Sequence, residues 1–186
     1  SANALLPADI SIIKAKYVNT KFHARYSARS KTYEYKIYTG AVVPVFAKKY
    51  CWHLPVRKCT PSFSPPNLGG DAVGVSARDF KRDTINGTQT LNLNLIRQKA
   101  QELVGERDFS SFANRMEKTK NPVCKITEFK IIPRGNWLIF RITGTRFLYK
   151  MVRRIAGYLI QCGLGKPTLL PLVAPAAGLS LVKINF

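Results

Sequence analysis

The longest run with a helical period is Gly144 to Gly163, GTRFLYKMVRRIAGYLIQCG. Phe147, Leu148, Met151, Val152, Ile155, Ala156, Leu159 and Ile160 recur at the spacing of one apolar stripe. Arg146, Lys150, Arg153, Arg154 and Gln161 fall on the other side. The pattern predicts a helix that offers one face to a core and a cationic face elsewhere. Arg153 lies at the seam, beside Ala156 and Ile160, where its stem can follow the core while its guanidinium reaches a cleft. Lys150 and Arg154 read as a solvated basic face. Gly163-Leu164-Gly165-Lys166 follows the helix instead of joining strand to helix, and reads as its stop.

Period-two alternation marks the strands. Lys31 to Tyr38, KTYEYKIY, puts Tyr33, Tyr35 and Ile37 on one face and Thr32, Glu34, Lys36 and Tyr38 on the other. Residues 9–17 alternate with one change of parity, which predicts a strand with a bulge after a short loop. Residues 50–54, YCWHL, form a short strand candidate. Val123 to Ile132 and Trp137 to Thr143 read as a hairpin closed by Pro133-Arg134-Gly135-Asn136. In the last strand, Leu179 to Phe186, Val182, Ile184 and Phe186 share one face and Leu179 and Leu181 the other. A second helix is expected from Leu93 to Val104, with Gly105 as its stop and GERDFSSFAN as the loop beyond. Pro55 to about Thr90 is rich in Pro and Gly without a sustained period, and reads as a surface insertion. Strands, helix, hairpin, helix and strand in this order predict an α+β domain: an antiparallel or mixed sheet with helices on one face.

Charge changes the picture. Thirty Lys and Arg stand against ten Asp and Glu, a formal net charge of +20 over 186 residues. Such an excess repels itself and persists where a polyanion offsets it, so nucleic acid is the expected partner. An anionic membrane surface fits less well, because the cations are spread over strands, loops and helix, and no apolar run is long enough to span a bilayer. Cys51, Cys59, Cys124 and Cys162 form no CxxC pair and His23 and His53 are not spaced as ligands with them, so no metal site is expected. The carboxylates are isolated and no serine has a nucleophile elbow. What clusters is aromatic plus basic: Phe22, Arg25, Tyr26, Arg29, Lys31, Tyr33, Tyr35, Lys36 and Tyr38. Aromatics that stack bases beside cations that hold phosphates suit single-stranded or looped RNA. Half-buried sheet tyrosines between solvated lysines would give the same spacing, and spacing leaves both readings open.

Five segments carry a resemblance: NALLP at 3–7, FHARYSARSKTYEYKIY at 22–38, VGERDFSSF at 104–112, FLYKMVRRIAG at 147–157 and APAAGLSLV at 174–182. Together they resemble the TruA-type tRNA pseudouridine synthases. The resemblance implies part of the pseudouridine synthase fold, with residues 1–20 as the end of an N-terminal half and linker, and 21–186 as the C-terminal half of the catalytic domain. It implies an isomerase that cleaves the C1′–N1 bond of uridine, rotates the base and rejoins it through C5, without cofactor or metal. Tyr33 matches the active-site tyrosine that stacks on the base and helps move the C5 proton. Arg153 matches the arginine that pairs with the catalytic aspartate, and Leu179 the apolar residue against the target ring. Arg25 and Arg29 resemble backbone-binding positions. Lys31, Lys36, Arg146, Lys150 and Arg154 complete the expected RNA-binding set.

The match has gaps. The family's aspartate lies in a GRTDxGVHA-like segment that these residues do not contain; Arg82-Asp83-Thr84 has the residue types in another order. The 55–90 insertion is longer than the family's connection, and the link from Gly165 to Ala174 is shorter. Cys124 stands where relatives carry arginine, and Arg146 replaces a small residue at the cleft rim. The expectation is therefore a uridine isomerase acting on RNA, tRNA first and rRNA second, with this chain inactive alone. The alternative is a catalytically dead, synthase-like RNA-binding or ribosome-associated protein. A homodimer or ribosomal assembly is the expected association. A mitochondrial or other organellar location is expected before cytoplasm or nucleus.

Overall fold

The computed structural model of the chain describes residues 2–24, 26–56, 58–60, 90–113, 121–166 and 171–186. Strand β1, Ser30–Tyr38, is the one the others are arranged on. Its alternation is read out as burial: Tyr35 and Ile37 are fully covered, and the intervening Lys36 is not. Along one edge it pairs antiparallel with β7, Trp137–Gly144, over its whole length. Along the other edge β8, Leu179–Asn185, runs antiparallel beside residues 30–35, and the short β2, Trp52–His53, runs parallel beside Ile37 and Tyr38. Beyond β7 come β6, Val123–Arg134, and then β5, Gly105–Asp108, giving a mixed six-stranded sheet. A separate parallel pair joins β3, Lys58–Thr60, to β4, Thr90–Asn92.

Two helices cover one face. Helix α1, Leu93–Gln101, is capped by Asn92, whose side chain accepts from the Leu95 N–H at 3.0 Å. It buries Leu93, Ile96 and Ala100. Helix α2, Met151–Gly163, buries Met151, Val152, Ile155, Ala156, Leu159 and Ile160. Both pack with Tyr35, Ile37, Leu138, Phe140, Ile142, Ile126 and Phe129 in a single core. At the crossing a Cβ on Gly163 would lie 2.5 Å from Ile96 Cδ1, so a larger residue there would require the Ile96 side chain to shift. The α+β class, and the helices gathered on one face, are as the periodicities predicted.

Several boundaries differ from expectation, each for a tertiary reason. Residues 9–17 are not a strand: a short 3-10 turn, Ala2–Leu5, precedes chain without regular structure. There the Asn3 side chain both donates to Ile12 O at 3.1 Å and accepts from the Ile12 N–H at 2.8 Å. An alternating segment becomes a strand only when another backbone pairs with it; here the Asn3 amide engages Ile12 alone, and the segment is exposed. Helix α1 ends at Gln101, before Val104; the Glu102 N–H still reaches Gln98 O, Leu103 and Val104 tighten into i→i−3 bonds, and Gly105, at φ +113°, opens β5 instead of closing the helix. The expected loop at GERD is thus an edge strand. Helix α2 begins at Met151, not near Gly144, because Lys150 takes a left-handed conformation, φ 61° and ψ 4°. In β8 the pairing slips between Thr32 and Tyr33, leaving Val182 as the bulged residue. Ile184, opposite Lys31, therefore returns to the face of Leu179 and Leu181, opposite Tyr35 and Tyr33, instead of facing away from them. The helix stop at Gly165 is confirmed: at φ +70° it bonds Cys162 O while Lys166 N–H reaches Gln161 O, a Schellman closure. The expected insertion at 55–90 lies largely outside the described residues, as do residues 167–170 of the 166–174 link.

Candidate functional site

The left-handed turn at Lys150 is held from below. Leu148 and Met151 on either side of it are buried, and the Met151 N–H donates to Leu148 O at 3.1 Å. With both anchored, Tyr149 and Lys150 are the residues turned outward. Their turn meets the first half of β1, where Phe147 stands edge-on to Tyr33 with ring centroids 5.1 Å apart. Between them opens a pocket of about 250 Å³ lined by Tyr33, Phe147, Tyr149, Lys150, Arg153 and Leu179, among others. Among the described residues no carboxylate lines it.

An extended strap, residues 171–175, fixes Arg153 and Leu179. Arg153 Nε donates to Ala174 O at 2.6 Å, and the Ala174 N–H donates back to Arg153 O at 3.2 Å. Two turns along α2 the Leu172 N–H donates to Gln161 Oε1 at 3.3 Å. Gly157 lies between these two positions, and a Cβ there would stand 2.0 Å from Leu172 O. Arg153, Gly157 and Gln161, spaced i, i+4 and i+8, thus form one stripe along which the strap lies. The strap's end is tied to the sheet by Tyr35, whose Oη donates to Pro175 O at 2.7 Å. Burial raises the Tyr35 phenol far above its ordinary range, and the nearby Arg153 charge pulls it back in part. After a 3-10 turn at Ala176–Gly178 the chain enters β8 at Leu179, in the pocket. Arg153 is therefore pinned through Nε, and its other guanidinium nitrogens make no hydrogen bond among the described residues.

A family model described as tRNA pseudouridine synthase matches residues 99–174. The chain is 35% identical over 164 residues to a tRNA pseudouridine synthase A of Bacillus licheniformis, covering 88% of this chain and 53% of that one. It is 36% identical to one of Bordetella avium, over 88% of this chain and 49% of the relative. A tRNA pseudouridine synthase A 2 of Bacillus cereus is 29% identical over 99% of this chain and 67% of its own length. By these matches the chain is a relative of the TruA-type pseudouridine synthases. It spans about half the length of the first two relatives.

Three positions matched to this synthase family, Tyr33, Arg153 and Leu179, converge on the pocket from β1, α2 and β8. The basic set is not gathered in the same way. Lys150 lines the pocket, with Nζ 5.1 Å from the Tyr149 ring centroid. Arg146 is exposed just before Phe147, and Lys31 shares the Tyr33 face of β1. Arg29 is exposed at the start of β1, its N–H donating to Asn185 O. Lys36 is on the opposite face of the sheet, away from the pocket. Arg154 is not a freely solvated cation, since its Nε is shut off from solvent without a hydrogen-bond partner among the described residues. Arg25 and Asp83 lie outside the described residues. Phe147 and Tyr149 were missed as site residues. Phe147 reads as part of the core stripe, whereas Tyr149, an aromatic off that stripe and next to a lysine, was the signal available. Among the described residues no group of three or more His, Cys, Asp or Glu could hold a metal ion.

Proposed function

We propose that this chain forms one wall of the active site of an RNA uridine isomerase, a pseudouridine synthase acting on tRNA or other structured RNA. The observation that carries the reading is the convergence of Tyr33, Arg153 and Leu179, from three distant segments, on one pocket. A flipped uracil would stack on Tyr33, with Leu179 against its ring to exclude water. The C1′–N1 bond breaks, the base turns, C1′ bonds to C5, and the C5 proton moves to N1 with help from the Tyr33 hydroxyl. Arg153, pinned by the strap, keeps its free nitrogens for a carboxylate supplied by an aspartate segment outside these residues; that cation would hold the carboxylate ionised and oriented. The basic residues around the pocket would hold the RNA backbone. On the same reading, a homodimer or ribosomal assembly and an organellar site of action rest on resemblance and charge alone.

In a protein carrying both this chain and the aspartate segment, Arg153→Ala should lower pseudouridine formation in tRNA transcripts by about a hundredfold or more. Unchanged conversion by a folded variant would end the assignment. A second reading, a synthase-like RNA-binding module, rests on the net charge of +20. It predicts that such a protein binds RNA and leaves its uridines intact.

A further inference from the structure

We propose that Tyr149 and Lys150 form a second subsite at the pocket mouth, which holds the nucleotide next to the target uridine by its base and its phosphate. The inference rests on the reading of the pocket as a uridine site, and deepens it. Among the described residues two cations line the pocket, Arg153 and Lys150. Arg153 is committed to the strap through Nε and aimed by it. Lys150 has no ion pair among the described residues; its ammonium lies over the Tyr149 ring, 5.1 Å from the centroid. Tyr149 is 57% exposed, so a large aromatic with a cation on one side has its remaining surface open to solvent at the edge of a cavity.

The placement is imposed by the fold. Lys150 is the one described non-glycine residue at positive φ, a region where a lysine is uncommon. The burial of Leu148 and Met151 on either side holds it there and turns residues 149 and 150 outward. A base stacked on the open side of Tyr149 would be sandwiched between the ring and solvent, while the ammonium on the other side retains its three donors for the adjoining phosphate. Aromatic stacking tolerates any base, so the subsite holds a neighbour without reading its sequence.

The probes are two single-stranded oligomers, one with a single uridine flanked by cytidines, the other with abasic residues in place of the flanking nucleotides. The wild-type chain should bind the first about tenfold more tightly. Tyr149→Ala should lose that preference by weakening only the cytidine-flanked complex. Lys150→Asn keeps a residue tolerated in the left-handed turn and removes the charge. It should weaken both complexes and make the slope of log K against log salt shallower by about 0.7. Lys150→Arg should restore the slope, and thermal melts should show all variants folded. A wild-type chain indifferent to the abasic flanks, or a Tyr149→Ala chain that still discriminates, would overturn the subsite while leaving the uridine pocket standing. A chain that binds neither the oligomers nor tRNA transcripts would overturn both.

Discussion

At the scale of single residues, the sheet face opposite the helices holds the least forgiving contact. Glu34 is 8% exposed, and Arg141 directly across on β7 donates to its Oε1 from Nε at 2.8 Å and from Nη2 at 2.6 Å. The pair is asymmetric: the arginine side chain is 43% exposed and the glutamate 10%. Removing the arginine strands a buried carboxylate, whereas neutralising the glutamate leaves a guanidinium that water can still reach. Arg141→Met should therefore cost about 2 kcal/mol in urea unfolding, and Glu34→Gln about 1 kcal/mol. Equal costs would mean the pair behaves as a surface contact. Tyr158 offers a pH test. Burial first, and a hydrogen bond with Cys162 second, push its phenol from 10.0 up to about 12. The folded state prefers the neutral ring, so this stabilisation is complete below pH 10 and is lost as the pH rises through about 12. Lysines discharge over the same range and relieve self-repulsion, so wild type alone would mislead. The urea midpoint of wild type minus that of Tyr158→Phe should be flat below pH 10 and then fall toward pH 12.

At the scale of elements, the strap across α2 couples two site residues that are far apart in sequence. Gly157 makes it possible. A helix-interior glycine usually costs about 1 kcal/mol relative to alanine, so Gly157→Ala would ordinarily stabilise. Here the added Cβ would lie 2.0 Å from Leu172 O, inside contact distance with backbone that cannot swing away as a side chain would. Overpacking of this kind costs about 1–3 kcal/mol, so the sign reverses. Gly157→Ala should destabilise by about 2 kcal/mol and speed hydrogen exchange at the Leu172 and Ala174 amides. A neutral or stabilised variant would show that the strap does not lie on this stripe. The strap also marks what sequence could not show. β1, the β6–β7 hairpin and the body of α2 are legible because alternation and a 3.6-residue period follow directly from burial on one face. β5 was not, since an edge strand of charged, exposed residues carries no apolar period. The late start of α2 was not, because the turn at Lys150 is imposed by burial of its neighbours and not by its own preference. The parity of β8 turned on a bulge that only the pairing with β1 defines. Within the site, spacing left Tyr33 open between stacking residue and sheet residue and set Arg153 at the seam of its helix, and only resemblance gave Arg153 and Leu179 their roles. The interaction of both with the strap is a tertiary fact.

At the scale of the molecule, if the chain binds RNA as proposed, the net charge of +20 sets how that binding depends on salt, and the sheet sets where it acts. Each phosphate neutralised releases counterions, so log K for a tRNA transcript should fall linearly with log salt. The fold divides the expected contacts between two faces: Lys31 is on the Tyr33 face of β1 and Arg146 precedes Phe147 at the pocket, while Lys36 is on the far face with Glu34. If RNA enters by the pocket, Lys31→Gln and Arg146→Gln should each make the salt slope shallower by about 0.7–0.9, and Lys36→Gln should leave it unchanged. Long-range attraction alone would predict a different result. All three substitutions remove one charge from the same total, and at a Debye length of about 8 Å in physiological salt an exposed cation acts only on phosphates that pass close to it. Three equal changes in slope would thus mean that RNA is held by net charge without a preferred face, which would count against the pocket as the point of entry. A change confined to Lys31 and Arg146 would tie the charge of the whole chain to the face where Tyr33, Arg153 and Leu179 meet.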